Sequence, residues 1–343
     1  MKLSIISALF LIMALALSMK AEEAKLIDGW PPEVRIVSYL SPADNTQQPA
    51  LFYNPERQGN VPLLVALHPW SGNYLRKEPE YPAWCIRKGW AMIHPNFRGA
   101  FNRPEATGSE LVVKDILGAV EYARKQAKID PDRIYLIGVS GGGYISLLMA
   151  GRNPEIWAAA SAWVPLYDLK DWHAESVMRK LHYTKLLEKS CGGPPGASAD
   201  VDKQYLARSA STYLKNAAAI PMDINAGIHD GHEGSVPISQ SLDAFNALAK
   251  QDDKISDEDI RFMTDKAEIP EKIKTPVQDP LYGKRSVMFR RVSNNARITI
   301  FDGGHEIIPA AGLTWLEKQR KKSAPVWDVN PVTNGSAPAK PRN

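Results

Sequence analysis

The sequence predicts a doubly wound α/β domain, a mostly parallel sheet with helices on both faces. Three observations predict it. Short β-rich runs alternate with helix-length amphipathic stretches from Pro62 to Val164. The run Pro62–Leu67 is apolar throughout, as in a strand buried on both faces of a parallel sheet. The chain, at 343 residues and 44% hydrophobic, is long enough to bury the core such a sheet needs.

In chain order, Met1-Lys2 and the apolar run Leu3–Leu17 have the n-region and h-region of a secretory signal. The run is short for a membrane span and is followed at once by the polar segment Lys20–Lys25. A cleaved signal is therefore expected over 1–21, with cleavage after Ser18 or Ala21, and a secreted or periplasmic protein without stable membrane association. Val34–Leu40 and Gln48–Tyr53 read as the first strands, and Pro62–Leu67 as the third, ending in the loop His68-Pro69-Trp70-Ser71-Gly72. A helix through Trp84–Lys88 and a strand Trp90–His94 follow. Ser109 is the expected N-cap of a helix whose Val112, Ile116, Ala119, Val120 and Ala123 share one face. Asp130-Pro131-Asp132 reads as the turn into the strand Arg133–Val139, with a helix over Tyr144–Ala150 beyond it and another strand over Trp157–Val164.

The rhythm then breaks. Residues 165–219 mix aromatics with a Gly-Pro-rich loop and a helix-like end at Ala210–Ala219, and read as a cap over the carboxyl edge of the sheet. Pro221–Gly227 resumes the strands, followed by a helix from Pro237 to Gln251. Residues 252–295 read as an irregular surface insertion with a short helix over Asp257–Thr264. Arg297–Phe301 is the last strand and Leu313–Lys322 the closing helix, so the catalytic domain is expected over 31–322. The Pro-, Ala- and Asn-rich 323–343 reads as a disordered tail. One pattern resists this scheme: Asp223 and Asn225 alternate with Met222, Ile224 and Ala226 in a strand expected to be buried on both faces.

The charge of +4 is spread along the chain without a basic, aromatic-interleaved block, so nucleic acid is not an expected partner. Two cysteines, Cys85 and Cys191, are too few for a disulfide framework; they pair in an oxidising compartment or stay as buried thiols.

The chemistry centres on Gly138-Val139-Ser140-Gly141-Gly142, where a strand gives way to a helix. A serine at this junction is held in a strained turn with its hydroxyl lifted above the sheet. Glycines two positions to either side avoid collision there. A serine hydroxyl needs an imidazole to take its proton, and the imidazole needs a carboxylate to fix its tautomer. His305, after Gly303-Gly304, and Asp230, in a glycine-bearing loop after Gly227, follow later strands in the order nucleophile, acid, base. Asp168 is the alternative acid. His229, Asp230, His232 and Glu233 also carry metal-ligating groups, yet lie crowded in one loop, so no metal and no cofactor is expected. The oxyanion hole needs two N–H donors: Gly141, at the head of a helix, and one from the His68 loop. Pro69 has no N–H, which leaves Trp70, the chosen donor, or Ser71. Arg98 could bind a substrate anion or pair with a buried carboxylate, and the second is favoured.

These motifs resemble the catalytic domain of the prolyl oligopeptidase family, within the α/β-hydrolase fold. The resemblance runs from Pro62 to His305 and rests on the His68 loop, Asn96-Phe97-Arg98-Gly99, Asp115–Tyr122, Gly138–Gly143, Gly227/Asp230/Val236-Pro237 with Gln240-Ser241, and Gly303-Gly304-His305. It implies Ser140, Asp230 and His305 as nucleophile, acid and base. The chain departs from the family at Pro69, where a glycine is usual, in extra residues between Asp230 and Val236, and in the 252–295 insertion. Family peptidases carry a β-propeller; the space before Pro62 is too short for one. Small secreted members are often esterases, some acting on acylated polysaccharides. The expectation is therefore a carboxylic ester hydrolase, with Trp70, Trp163 and Trp172 as surfaces for sugar rings or as packing residues. A serine peptidase for short peptides is the alternative, and a non-catalytic binding protein on the same fold the third reading. The expected partner is a small-molecule, carbohydrate-ester or short peptide substrate, with the oligomeric state left open.

Overall fold

The computed structural model describes residues 27–275 and 277–329; the expected signal at 1–21 and the last fourteen residues of the expected tail lie outside them. The strands are β1 (Arg35–Leu40), β2 (Gln47–Tyr53), β3 (Val61–Leu67), β4 (Ala91–Pro95), β5 (Ile129–Val139), β6 (Ala159–Trp163), β7 (Met222–Gly227), β8 (Val287–Ser293) and β9 (Ala296–Phe301). They form one sheet in the order β1-β2-β4-β3-β5-β6-β7-β9-β8. The six inner strands from β4 to β9 run parallel, and β1, β2 and β8 are antiparallel edges. This is the α/β-hydrolase arrangement, and no propeller occurs among the described residues.

Helices cover both faces because crossovers between parallel strands must leave the sheet and return. On one face lie α1 (Glu80–Lys88) and, at the chain end, α9 (Pro309–Glu317), which bury Trp84, Cys85, Trp315 and Leu316 against Leu64, Ala66 and Ile137. On the other lie α2 (Glu110–Gln126), α3 (Gly141–Arg152) and α7 (Ser239–Leu248), packed on Leu63, Val65, Leu136 and Ile224. Ser109 caps α2 by accepting from the Val112 N–H, and the five residues expected on one face are all buried. Cys85 and Cys191 are both free and buried, and belong to the cores on opposite faces. Geometry therefore rules out their pairing.

The 165–219 segment folds into α4 (Leu169–Met178), α5 (Tyr183–Cys191) and α6 (Ala199–Arg208), and its end forms two 3-10 turns, Ala210–Thr212 and Leu214–Ala217, where one helix was expected. The 252–295 segment contains α8 (Asp257–Lys266), but it is not wholly a surface excursion: β8 is an antiparallel edge strand of the main sheet. Asp130–Asp132 lies inside β5, where the pairing with β3 shifts register, so the expected turn is an irregularity within a longer strand. The end of the domain also differs from expectation. Trp327 stacks on Trp315 at 5.7 Å and Val326 N–H donates to the Gln319 side chain, so the start of the expected tail is anchored to the domain at Val326–Trp327.

The alternation in β7 has a structural cause. Asp223 is fully buried, and its Oδ1 accepts from Nε and Nη2 of Arg297 on neighbouring β9, both at 2.8 Å. Its Oδ2 accepts from Ser161 on β6 and from Asn225, whose own Oδ1 accepts from the Tyr282 hydroxyl. Arg297 also donates to the Trp327 carbonyl, and its guanidinium lies 5.7 Å from the ring centroids of both Trp315 and Trp327. Every polar group of this spine is satisfied by another, which is the condition for burying it at all. Arg297→Met is expected to cost about 3–5 kcal/mol in urea unfolding, because it leaves Asp223 charged and unpaired. The double variant with Asp223→Asn should recover part of that loss.

Candidate active site

Ser140 sits between the end of β5 and the start of α3 at φ 57°, ψ −122°. This conformation is costly for a residue with a Cβ, on the order of 1–3 kcal/mol, and persists only where neighbours over-determine it. Here they do. Ser140 N–H donates to the Trp163 carbonyl at 2.8 Å, and the Ser140 carbonyl accepts from Tyr144 N–H at 2.9 Å. A Cβ on Gly138 would come within 2.4 Å of the Gly142 backbone, and one on Gly142 within 2.1 Å of the Leu67 carbonyl oxygen. The flanking glycines are thus a steric requirement of the turn, as the sequence pattern implied.

Asp230 follows β7 and is buried. Its Oδ1 accepts from the N–H groups of Gly231 and Val236, at 3.0 and 3.2 Å, so the loop folds around the carboxylate. Its Oδ2 faces His305 Nδ1 at 2.7 Å. A carboxylate only accepts, so the imidazole carries its proton on Nδ1 and presents Nε2 as the free acceptor. The hydrogen bonds among the described residues include none between His305 and Ser140, whose strands are separated by β6 and β7. Such a bond is commonly long in a site without substrate and tightens when the acyl group is in place.

Asp168 is occupied elsewhere. Its Oδ1 caps α4 by accepting from Lys170 and Asp171 N–H, and its Oδ2 accepts from Ser211. His229 faces Asp302 Oδ1 at 3.3 Å and His232 donates to the Thr264 carbonyl, so these histidines diverge from Asp230. Among the described residues no group of three or more His, Cys, Asp or Glu side chains is arranged to hold a metal. Arg98 forms a bidentate pair with the buried Asp115, at 2.6 and 3.0 Å, and also binds Asp44 and Ser41. Its role is to hold the first strands on α2.

The loop after β3 and the head of α3 meet in one close approach. An added Cβ on Gly141 would lie 2.5 Å from the Trp70 backbone nitrogen, which puts the two backbones side by side. Gly141 is the first residue of α3, so its N–H has no partner within the helix. The Trp70 N–H donates to no acceptor among the described residues. The loop is held from below by His68, fully buried, stacked on Phe97 at 3.9 Å and facing the Pro69 and Asn96 carbonyls. Burial pushes its pKa down to about 4, and that of neighbouring His94 down to about 3.

The tryptophans are packing residues. Trp70, Trp163 and Trp172 are exposed by 3%, 0% and 1%, so none offers a face to a sugar. Trp70 instead meets the cap edge-on, at 4.8 Å from Trp172 and 6.1 Å from Tyr183. Sequence reasoning also missed Gly234. A Cβ there would fall 2.1 Å from Asp230 Oδ1 and 2.6 Å from His305 Cβ, so this glycine lets Asp230 and His305 meet. The extra loop residues between Asp230 and Val236 were the available signal. A groove of about 640 Å³ lined by Tyr39, Leu40, Leu117 and Tyr122 lies beside the β1 edge and includes none of Ser140, Asp230 and His305.

Fold and elbow together define the class, an α/β hydrolase with a serine at the strand-to-helix turn. The prolyl oligopeptidase family profile matches residues 82–265, over half of the chain, and the chain belongs to that family. His305 lies beyond the matched stretch. The chain is 28% identical to the acylamino-acid-releasing enzyme of Rattus norvegicus over 44% of this chain and 24% of that one. It is 25% identical to an acetylxylan esterase of Coprinopsis cinerea over 38% of this chain and 39% of that one. Among solved structures, the acylaminoacyl peptidase of Pyrococcus horikoshii superposes with a TM-score of 0.60 at 18% identity, covering 86% of this chain and 43% of the other. The matched stretches thus span well under half the length of these relatives.

Two outcomes test the site. Gly234→Ala is expected to cut hydrolytic turnover by about 100-fold, because displacing Asp230 or His305 by an ångström is enough, with the circular dichroism spectrum retained. For the buried histidines the sign is fixed. Each binds a proton more readily unfolded than folded, so stability falls as pH drops from about 6.5 towards the folded pKa, by about 1.4 kcal/mol per pH unit for each group. Urea unfolding at pH 7 and pH 5 should show a shallower loss in His94→Phe than in the wild type.

Proposed function

We propose that the protein is an exported serine hydrolase that cleaves a carboxylic acyl bond through an acyl-enzyme. Ser140 attacks the acyl carbon as its proton passes to His305 Nε2. The carbonyl oxygen becomes an oxyanion held by the N–H groups of Gly141 and Trp70. His305, kept in the Nδ1–H tautomer by Asp230, returns the proton to the leaving group. Water then repeats the sequence and frees Ser140. The observation that carries this reading is the 2.7 Å contact of His305 Nδ1 with the buried Asp230, taken together with a strained serine in a glycine-bounded elbow.

The substrate class we favour is a carboxylic ester. An alcohol leaves more readily than an amine, so an ester asks less of the site's acid, and an acetylxylan esterase is among the relatives. Burial of the three tryptophans withdraws the sugar-stacking argument, so a carbohydrate ester now rests on that relative alone. The second reading, cleavage of a short peptide or acylated amino acid, is supported by the acylamino-acid-releasing relatives. Export rests on the Met1-Lys2 and Leu3–Leu17 pattern, and amino-terminal sequencing of protein recovered outside the cytoplasm tests it.

A fluorophosphonate probe should label the wild type and not Ser140→Ala; absence of labelling, or equal labelling of both, refutes the nucleophile. Asp230→Asn should lower kcat by about 10⁴-fold while Asp168→Asn changes it little, and the reverse ranking would overturn the assigned acid. Aryl esters compared with aminoacyl amides then divide the two substrate readings by kcat/KM.

A further inference from the structure

The loop that carries Asp230 is glycine-bearing, with Gly231 at φ 93° and Gly234 inside the turn, and glycine leaves a backbone free to move. Catalysis needs this loop fixed to a fraction of an ångström. Internally, two N–H groups of the loop fold onto Asp230 Oδ1. The outward-facing carbonyls are bound from another quarter. Arg179, which follows the last residue of α4 in the cap, donates through Nη2 to the Gly234 carbonyl at 2.6 Å and through Nη1 to the Ser235 carbonyl at 3.4 Å. Trp172, two turns earlier on α4, donates its indole N–H to the same Ser235 carbonyl at 3.1 Å. The buried Trp172 ring also packs on Trp70, whose backbone N–H lies beside Gly141. One short helix therefore touches both the acid loop and the oxyanion loop.

We propose that Arg179, seconded by Trp172, is a positioning residue: it clamps the Gly234–Ser235 turn so that Asp230 and His305 keep their contact, and makes the cap part of the catalytic apparatus. A charged donor on a carbonyl is among the stronger hydrogen bonds a protein makes, and the forked guanidinium restrains two successive carbonyls at once. The contrast with Arg285 is informative. Arg285 pairs with Glu306 beside His305, but both side chains are more than a third exposed, so solvent screens the pair and it holds its loop weakly.

This inference rests on the hydrolase reading. Fluorophosphonate labelling of the wild type is therefore measured first: its failure would overturn that reading and the clamp with it. With the wild type active on p-nitrophenyl acetate, Arg179→Met, which keeps the apolar stem, should lower kcat by about 10- to 100-fold. KM should be nearly unchanged and Tm should fall by no more than a few degrees. Arg179→Lys should recover a large part of kcat, and Trp172→Phe, which removes only the indole donor, should show a smaller loss that is not additive with Arg179→Met, since both act on one turn. An unchanged kcat in Arg179→Met, a loss expressed in KM alone, or strict additivity of the two variants would refute the clamp. If Arg179→Met fails to fold, the kcat and KM of Trp172→Phe and Arg179→Lys decide on the same criteria.

Discussion

The site is organised by a backbone-to-backbone contact. Around Ser140 the end of β5, the first turn of α3 and the His68 loop approach so closely that no Cβ fits at Gly138, Gly141 or Gly142. That contact does three things at once. It holds Ser140 at a positive φ that an L-residue would otherwise leave. It brings the Trp70 backbone nitrogen beside Gly141, which is the arrangement the proposed pair of oxyanion donors requires. It also fixes β3 against β5, so the loops after the two strands share one rim. The strain at Ser140 is tolerated because the parallel register of β3, β5 and β6 is locked by a core buried on both faces.

Asp230 and His305, the proposed acid and base, are delivered from the far half of the sheet, whose strands a polar spine ties together. Asp223 and Arg297 link β7 to β9, while Ser161 extends the network to β6. The loops carrying Asp230 and His305 leave from the ends of the two strands that this ion pair joins. A purely apolar β7 and β9 would pack as well and cost less desolvation. What the pair adds is register, since a one-residue slip would leave two buried charges unmatched. The same logic holds at the other end of the domain, where Arg98 and the buried Asp115 tie the first strands to α2.

Much of this was legible in the sequence, and the boundary has physical causes. The elbow at Ser140, the loops that bring Asp230 and His305 together and the inner strands were readable because each has a local signature: a glycine pattern with steric meaning, or an apolar run of strand length. The strand β8 was missed because it is an edge, with Arg290 and Arg291 in its middle; Arg290 lies over Tyr282 and pairs with Asp279, contacts that no local pattern announces. Asp223 looked anomalous because its partner is 74 positions away. The tryptophans read equally as binding surfaces or core, and only their packing, Trp70 on Trp172 and Trp163 on Tyr282 and Phe301, separates the two. Gly234 had no signal beyond the extra residues of its loop, because what sets it apart is what a side chain there would strike.

The two insertions that interrupt the α/β alternation are then part of the site's construction. In a bare doubly wound domain, the loops after β7 and β9 would be restrained only by their own short turns. Here the cap contributes Arg179 and Trp172 to the acid loop, and the second insertion contributes the Thr264 carbonyl, which accepts from His232 beside Asp230. Both insertions therefore converge on the segment 230–236. A cap that only shaped the substrate cleft would not need to spend a buried indole and a guanidinium on the carbonyls behind the acid. Its contacts tie α4 to the turn that folds around Asp230, so a displacement of α4 would carry to that carboxylate.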